Sequence, residues 1–168
     1  KVIHHDLAIA NVSAWQWWLA VSPYNYSDAL VYINDPSGGF DLNAVKTDGI
    51  VSDSKQLWCF GNYSRFIRPG MVRISASLNT VKDVTSAAAT QMVTAYKDKV
   101  NKKIVIVIIN MEASGKKFAI DPSALNLANK QLAAYTTSVT ASLSKSVVDA
   151  GNIAIPGKSV VTLVGNYK

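Results

Sequence analysis

The chain has 168 residues, of which 49% are hydrophobic and 17% charged, a composition that excludes a disordered segment and allows one domain plus part of another. Its net charge of +6 would suit a nucleic-acid partner, but phosphate binding needs basic residues concentrated on one face. The densest basic pairs, Lys102-Lys103 and Lys116-Lys117, flank an apolar run instead, so we predict no nucleic-acid partner. The single cysteine, Cys59, excludes an internal disulfide and a multi-cysteine metal site, and no apolar run reaches the length of about 18 residues that would predict a membrane span.

The first part of the chain predicts a helix followed by a buried strand. Residues 2–11 have apolar residues at helical spacing, and Asn11 can end this helix. Residues 12–21, VSAWQWWLAV, carry three tryptophans and no charge, which is typical of a parallel strand buried on both faces. The polar stretch 22–53 then predicts a long loop, and loops of this length are usually functional or mobile.

Residues 53–68 predict a second helix. Apolar residues recur there at three- and four-residue spacing, at Leu57, Phe60, Tyr63 and Ile67. Ser52 or Asp53 can cap the N-terminus of this helix with a side-chain oxygen.

The end of this helix carries two arginines and a turn signal. Pro69-Gly70 ends the helix, because proline disfavours helix at the residue before it and glycine accepts turn dihedrals. We expect Arg65 and Arg68 to bond the last helical carbonyls and offset the helix dipole. Phe66 and Ile67 are expected to supply the apolar contact with the domain that follows.

From Met71 onward the period of the hydrophobic residues changes to two. Short β-branched runs separated by turn residues follow at the spacing of antiparallel sandwiches, about seven to nine strands in all. Residues 71–168 therefore predict an independent all-β domain. The predicted fold class of the chain is mainly β, with an antiparallel β-sandwich.

Four stretches carry a resemblance to a known family: WQWWLAVSP, SKQLWCFGNYSRFIRPGMVRI, KKIVIVIINME and IPGKSVVTLVG. They resemble the C-terminal part of glycoside hydrolase family 30, which includes glucosylceramidase-like enzymes, β-1,6-glycanases and xylanases. The family joins a (β/α)8 barrel to a side β-sandwich, and its most specific stretch here is GNYSRFIRPG.

The resemblance implies a division of the chain. Residues 1–68 would be the C-terminal remnant of the catalytic barrel, with 12–21 as the eighth strand and 53–68 as the eighth helix. Residues 71–168 would be the sandwich. A missing N-terminal barrel segment is then the implied partner of this chain, and the family's usual location implies that the protein is extracellular or periplasmic.

The resemblance also implies that the catalytic groups lie elsewhere. The family uses two glutamates, on the fourth and seventh barrel strands, and retaining glycosidases set two carboxyl groups about 5–5.5 Å apart. This chain has a single glutamate, Glu112, after an apolar strand of the predicted sandwich. We therefore predict no catalytic residue here. His4 and His5 are adjacent and point about 100° apart on a helix, so we also predict no metal site, and no cofactor.

The tryptophan-rich segment is the predicted wall of a sugar cleft. Barrel enzymes bind substrate at the C-terminal ends of their strands, and pyranose C–H faces pack on aromatic rings. Trp15 and Trp17 share one face of a strand, and Trp18 lies on the other. We expect Trp17, with Trp15 deeper, to contact substrate, although core packing is the alternative for each. By the resemblance, Ser22, Tyr24 and Tyr26 lie in the loop that shapes the subsites, and we expect Ser22 and Tyr24 to bind substrate.

The same loop bears on the substrate. Glucuronoxylan-cleaving members of the family have an arginine in it, whereas residues 21–29 contain no basic residue. A neutral β-linked glycan, of the β-1,6-galactan or glucan type, is therefore the expected polysaccharide or oligosaccharide partner. We predict that the chain is the C-terminal segment of a secreted retaining O-glycoside hydrolase and is inactive alone.

The alternative is a non-catalytic carbohydrate-binding or adhesion β-sandwich module. A sugar-binding face needs a row of exposed aromatic rings. Residues 71–168 contain no tryptophan and four other aromatic residues, Tyr96, Phe118, Tyr135 and Tyr167. This small number favours a structural companion domain.

Overall fold

The computed structural model describes residues 1–24, 26–37, 41–80 and 83–168. Its helices are α1 (Val2–Ala8), α2 (Leu42–Thr47), α3 (Lys55–Ser64), α4 (Val84–Ala89) and α5 (Pro122–Leu125). Its strands are β1 (Val21–Ser22), β2 (Val31–Asn34), β3 (Ile50–Asp53), β4 (Val72–Ile74), β5 (Gln91–Asp98), β6 (Lys103–Asn110), β7 (Lys116–Phe118), β8 (Gln131–Thr137), β9 (Ser144–Asp149), β10 (Ile153–Ile155) and β11 (Ser159–Asn166). None of the described helices is long and apolar enough to cross a bilayer.

Two antiparallel sheets make up the C-terminal part of the chain. The main sheet has six strands in the order β4-β5-β6-β11-β8-β9, and every neighbouring pair is antiparallel. β7 and β10 form a second, two-stranded antiparallel sheet. The predicted mainly β, antiparallel fold is therefore confirmed.

The central strand β6 is buried on both faces. Side chains of a strand alternate between the two faces of its sheet. Residues 104, 106 and 108 pack in a core cluster with Ile153 and Ile155 of the two-stranded sheet. Residues 105, 107 and 109 pack in a second cluster, which contains Tyr63 of α3. The main sheet thus lies between two cores, which explains why the sequence of β6 is almost entirely apolar.

Helix α3 connects the N-terminal part of the chain to this sheet. Its N-cap is Ser54, whose hydroxyl oxygen accepts the backbone N–H of Leu57 at 3.2 Å. The expectation that Ser52 or Asp53 caps the helix is wrong. Both residues belong to β3 and pair with β2, so their backbone continues an extended strand up to the residue that caps the helix.

The C-terminal end of α3 is shorter than predicted. The helix ends at Ser64 rather than at residue 68. The Arg68 guanidinium group donates a hydrogen bond from Nη1 to the Ser64 carbonyl at 2.9 Å, as expected for an arginine at this end of a helix. Gly70 has a φ of 90°, a conformation that favours glycine, and the chain then enters β4.

The tryptophan-rich segment is not a regular strand. β1 covers only Val21–Ser22; it pairs in parallel with β2, which pairs antiparallel with β3. Of the predicted strand at 12–21, only Val21 lies in a regular strand of the described chain, and the assignment of 12–21 as a barrel strand stays a prediction. Leu19 extends the pairing through backbone hydrogen bonds with Asp28 and Leu30, each at 3.0 Å. The assignment of residues 1–68 to a barrel remnant stays a prediction.

Candidate functional site

Trp15 and Trp17 form a stacked pair that lies against helix α3. Their ring centroids are 5.7 Å apart with an interplanar angle of 24°. Trp15 also contacts Phe60 of α3, at 5.5 Å between centroids. Both rings are half-buried, and the Trp15 indole N–H donates to the Asp6 carboxylate at 2.7 Å. The pair therefore packs toward the helix, which agrees better with the core-packing alternative than with direct sugar contact.

Trp17 also closes the base of the loop that follows. Its indole N–H donates to the Asp28 carbonyl at 2.7 Å. The same carbonyl accepts the Leu19 N–H, and the Leu19 carbonyl accepts the Leu30 N–H, both at 3.0 Å. These bonds join the two ends of the loop between residues 20 and 30. We call this segment the tyrosine loop, since Tyr24 and Tyr26 lie within it.

Ser22 fixes the turn at the start of the tyrosine loop. Its side chain is 1% exposed. The hydroxyl oxygen accepts the Tyr24 N–H at 3.0 Å and donates to the Tyr24 carbonyl at 3.1 Å. The family resemblance predicts that Ser22 binds substrate, and this stays a prediction. In this geometry the Ser22 hydroxyl is engaged by the backbone of the loop.

Tyr24 and Tyr26 form a second aromatic pair. Their rings are parallel within 3° and their centroids are 5.5 Å apart. Tyr24 is 36% exposed and Tyr26 is 74% exposed. The pair therefore presents a flat aromatic face to solvent at the outer part of the tyrosine loop.

Trp18 is the ring that our choice of substrate-contact residues left out. It is 79% exposed, in contrast to the half-buried Trp15 and Trp17. Alternation along the sequence already separated Trp18 from the other two. The sequence does not show which of these two faces packs against Phe60 of α3. The position of Phe60 on the apolar face of its helix leaves that contact undetermined.

A buried polar network centred on Asn62 joins α3 to the main sheet. Asn62 is 0% exposed, and its side-chain amide donates to the Trp58 carbonyl at 3.0 Å and to Thr137 Oγ1 of β8 at 2.6 Å. Thr162 Oγ1 of β11 donates toward the Asn62 carbonyl at 2.6 Å and its Oδ1 at 2.9 Å. The most specific stretch of the sequence, GNYSRFIRPG, thus carries the residue that fixes the helix on the sheet.

Apolar and cationic contacts surround this network. The Phe66 ring lies 4.4 Å from that of Tyr135 on β8, and the Arg65 guanidinium group lies 5.9 Å from the centre of the Tyr135 ring. Phe66 and Ile67 also pack against the core cluster between α3 and the sheet. The predicted contact of Phe66 and Ile67 with the β-domain is therefore confirmed.

Glu112 takes part in a surface network on the β-domain. Its carboxylate accepts from Lys116 Nζ at 2.9 Å and from the Gln91 side-chain amide. These bonds, first from Lys116 and then from Gln91, hold the pKa of Glu112 below its usual value. A carboxylate that stays ionised and neutralised in this way is suited to structure rather than to general acid catalysis.

His4 and His5 lie next to each other on α1. The ring centroids of His4 and His5 are 5.7 Å apart in an edge-on arrangement, and the described residues contain no group of three potential metal ligands. Burial, and then the neighbouring His5, lower the pKa of His4 to about 4. His4 is therefore neutral at pH 7.

Comparison with known proteins finds similarity to glycoside hydrolases. The family described as O-Glycosyl hydrolase family 30 matches residues 1–32, which contain the tryptophan-rich segment. A curated relative, the glucuronoxylanase XynC of Bacillus subtilis, is 27% identical over 165 residues, which are 96% of this chain and 32% of that protein.

Solved structures share the fold of this chain. A conserved exported protein from Bacteroides fragilis is 31% identical with a TM-score of 0.86, over 97% of this chain and 32% of that one. A family 30 endoxylanase from Clostridium papyrosolvens shares the fold with a TM-score of 0.63 at 24% identity, over 99% of this chain and 36% of that one. The chain spans about a third of the length of these relatives.

The predicted resemblance to the C-terminal portion of glycoside hydrolase family 30 is thereby confirmed. The two-sheet domain corresponds to the side β-sandwich of that family. The matches do not distinguish the glucosylceramidase or β-1,6-glycanase subtype.

Proposed function

We propose that this chain forms the C-terminal part of a secreted, retaining O-glycoside hydrolase that acts on a neutral β-linked glycan, of the β-1,6-galactan or glucan type. Residues 1–68 complete the end of a (β/α)8 barrel in this proposal, and residues 71–168 support it. The observation that carries the proposal is the family 30 match to residues 1–32, because that range holds the tryptophan-rich segment and the tyrosine loop.

The tryptophan-rich segment would form one wall of the sugar cleft. In a (β/α)8 barrel the helices surround the strands, so a ring that packs on the eighth helix points away from the barrel interior. Trp15 packs on α3 and Trp17 stacks on Trp15, whereas Trp18 is exposed. We therefore favour Trp18 for direct sugar contact. Trp15 and Trp17 then support the wall from behind.

The loop residues predicted from the sequence keep a part in this proposal. Tyr24 belongs to the exposed pair of the tyrosine loop, where its ring can border a bound sugar. Ser22 holds the turn beneath Tyr24 through two hydrogen bonds. The loop is thus shaped before substrate arrives, which lowers the entropy cost of binding.

The catalytic pair would come from barrel strands outside this chain. A retaining mechanism needs a nucleophilic carboxylate and a proton-donating carboxyl about 5–5.5 Å apart. The sequence offers only Glu112 as a glutamate, and its carboxylate is bound to Lys116 and Gln91. This supports the view that residues 1–168 alone are inactive.

Two substrates compete within this proposal. The absence of a basic residue from positions 21–29 favours a neutral glycan, since an anionic uronic acid is best recognised by arginine. The curated relative, however, is a glucuronoxylanase, which makes glucuronoxylan the second candidate.

A binding or adhesion module has less support. The β-domain has four aromatic residues. Tyr96 is buried, Phe118 packs against a core cluster, Tyr135 packs on Phe66 and Tyr167 lies beneath Lys97 and Lys102. The described β-domain therefore offers no row of exposed rings for a sugar. The exported relative from Bacteroides fragilis supports the proposed extracellular or periplasmic location.

The test uses the natural protein that contains this chain. It is assayed for release of reducing sugar from β-1,6-galactan, β-1,6-glucan and glucuronoxylan. Release from a neutral glycan, with the first product in the β configuration by NMR, supports the proposal. Preferential cleavage of glucuronoxylan would replace the proposed substrate, an α first product would contradict retention, and binding without cleavage of any glycan would favour the binding module.

A further inference from the structure

A cavity of about 270 Å³ lies between α1, α4 and the edge of the main sheet formed by β4 and β5. This volume corresponds to roughly nine water molecules and is slightly below the range of pockets for drug-sized ligands. The described residues that line it include no tryptophan and neither Tyr24 nor Tyr26. The cavity is therefore distinct from the aromatic site described above, and it has room for one small organic molecule.

Two buried polar side chains line this cavity. His4 of α1 is 6% exposed and Thr94 of β5 is 3% exposed. Within the described part of the chain, neither His4 Nδ1 nor Thr94 Oγ1 has a hydrogen-bond partner, although buried polar groups are normally bonded. A hydroxyl group both donates and accepts hydrogen bonds, so a ligand hydroxyl suits a neutral imidazole and a threonine at the same time.

Arg73 supplies a positive charge on the exposed side of the cavity. It pairs with Tyr96 in the β4–β5 register, so its side chain projects from the same face of the sheet as Thr94, two residues away on β5. Arg73 is exposed, and its Nη2 donates to Asn11 Oδ1 at 2.9 Å. A guanidinium group carries further N–H donors, and it binds a carboxylate through two parallel hydrogen bonds.

The acidic residue at the cavity, Asp83, is engaged in capping α4. Its carboxylate accepts the Ser86 backbone N–H at 2.8 Å and the Ser86 hydroxyl at 2.7 Å. These bonds, first from the backbone and then from the hydroxyl, hold the pKa of Asp83 below its usual value. Asp83 therefore completes the helix and leaves the Arg73 guanidinium group to a ligand.

The rest of the wall is largely apolar and includes Ile9, Ala87 and Met92. A simple inorganic anion would leave this surface without a contact. We propose that the cavity binds a small organic acid that carries a hydroxyl group at the far end of a compact apolar body. Its carboxylate pairs with Arg73, and its hydroxyl reaches the polar atoms of His4 and Thr94. This binding requires no glycan, so its test is independent of the hydrolase activity proposed above.

The first experiment measures which chemical groups the cavity recognises. The natural protein is titrated at pH 7 with 4-hydroxybenzoate, benzoate and inorganic phosphate by isothermal titration calorimetry. We expect benzoate, which lacks the hydroxyl, to bind about two- to tenfold more weakly than 4-hydroxybenzoate. Phosphate, which lacks the apolar body, should bind at least about tenfold more weakly. Absence of 4-hydroxybenzoate binding, or equal affinity for either comparison compound, would overturn the inference.

Three variants of the natural protein test the residues. Arg73→Gln should weaken 4-hydroxybenzoate binding about tenfold or more, because a charge-assisted pair is lost. Thr94→Val keeps the shape of the side chain and should weaken binding about two- to tenfold. Arg65→Gln is the matched control, since Arg65 is an exposed arginine beside Tyr135, and its affinity should equal that of the wild type. Unchanged affinity in Arg73→Gln or Thr94→Val, or equal losses in Arg73→Gln and Arg65→Gln, would contradict the site.

Two further measurements separate binding from damage to the fold. Thr94→Val removes a buried hydroxyl without a described partner, so urea unfolding should show no loss of stability in this variant. The NMR signals of the His4 imidazole, assigned with His4→Gln, should shift on addition of 4-hydroxybenzoate to the wild type. Signals that stay unmoved while the compound binds would place it elsewhere and refute the inference.

Discussion

Thr162 Oγ1 on β11 lies 2.9 Å from Asn62 Oδ1 and 2.6 Å from the Asn62 carbonyl oxygen on α3. Both residues are completely buried. The Asn62 amide also bonds Thr137 of β8, so one side chain holds the helix against two strands of the main sheet. Buried polar groups with all partners present are stabilising in this arrangement and costly to disrupt.

Replacing Asn62 should destabilise the protein. We expect Asn62→Ala to lower the free energy of unfolding by about 2–3 kcal/mol, because the hydroxyls of Thr137 and Thr162 and the Trp58 carbonyl lose a buried partner. Urea unfolding measures this change. The exposed Asn152→Ala is the control and should change the free energy by less than about 0.5 kcal/mol. Equal effects of the two substitutions would contradict the proposed role of the network.

Loss of the Trp17 indole N–H should loosen the tyrosine loop. Trp17→Phe removes the bond to the Asp28 carbonyl but keeps an aromatic ring. We expect faster amide hydrogen exchange at Leu19 and Leu30, whose backbone bonds close the loop base. Trp15→Phe is the matched control, since its indole bonds Asp6 outside the loop. If both variants exchange like the wild type at these amides, Trp17 does not hold the loop.

Trp18 should matter for activity more than Trp15. We expect Trp18→Ala to lower kcat/KM by about tenfold on the preferred glycan, since an aromatic ring in direct sugar contact contributes about 1 kcal/mol or more. Trp15→Phe keeps the packing on α3 and should change kcat/KM by less than about twofold. Steady-state kinetics of the natural protein measure both. The reverse order would restore the sequence-based choice of the Trp15 and Trp17 face.

Glu112 should be dispensable for catalysis. Its carboxylate is part-exposed and paired with Lys116, and exposed pairs of this kind contribute little to stability. Glu112→Gln should therefore keep kcat within about twofold of the wild type, whereas loss of a catalytic carboxylate would lower it by orders of magnitude. Reducing-sugar release from the natural protein distinguishes these outcomes.

His4 should make stability depend on pH. Its pKa is about 4 in the folded protein and about 6.5 in an unfolded chain, so the unfolded state takes up the proton first. The contribution is complete above pH 6.5, falls as the pH drops from 6.5 to about 4, and does not change further below that. The expected loss between pH 7 and pH 5 is on the order of 1–2 kcal/mol.

Unfolding of His4→Gln isolates this contribution. Glutamine does not titrate, so the difference in stability between pH 7 and pH 5 should shrink in the variant relative to the wild type. The same pH dependence in both proteins would show that another group is responsible.

Much of the fold follows from the sequence because local patterns fix it. The change of hydrophobic period at Met71 predicted the β-domain, and the spacing of apolar residues from Leu57 predicted helix α3. The spacing of apolar residues shows which face of a strand or helix is buried, and this spacing can be read within a few consecutive residues. The helix cap was misplaced because Ser52, Asp53 and Ser54 are all able to cap, and only the pairing of β3 excludes the first two.

The aromatic site depended on contacts between distant residues. The tryptophans of VSAWQWWLAV predicted a strand, and a strand forms where a neighbour satisfies its backbone. The described chain supplies such bonds only for the C-terminal end of this segment, through β1 and Leu19. The contact of Trp15 with Phe60 fixes which face of the segment packs on α3. Hydrogen bonds from Asn62 to Thr137 and from Thr162 to Asn62 hold α3 on the sheet. The sequence by itself determined the elements and their apolar faces, whereas tertiary packing decided which aromatic rings are covered and which remain exposed.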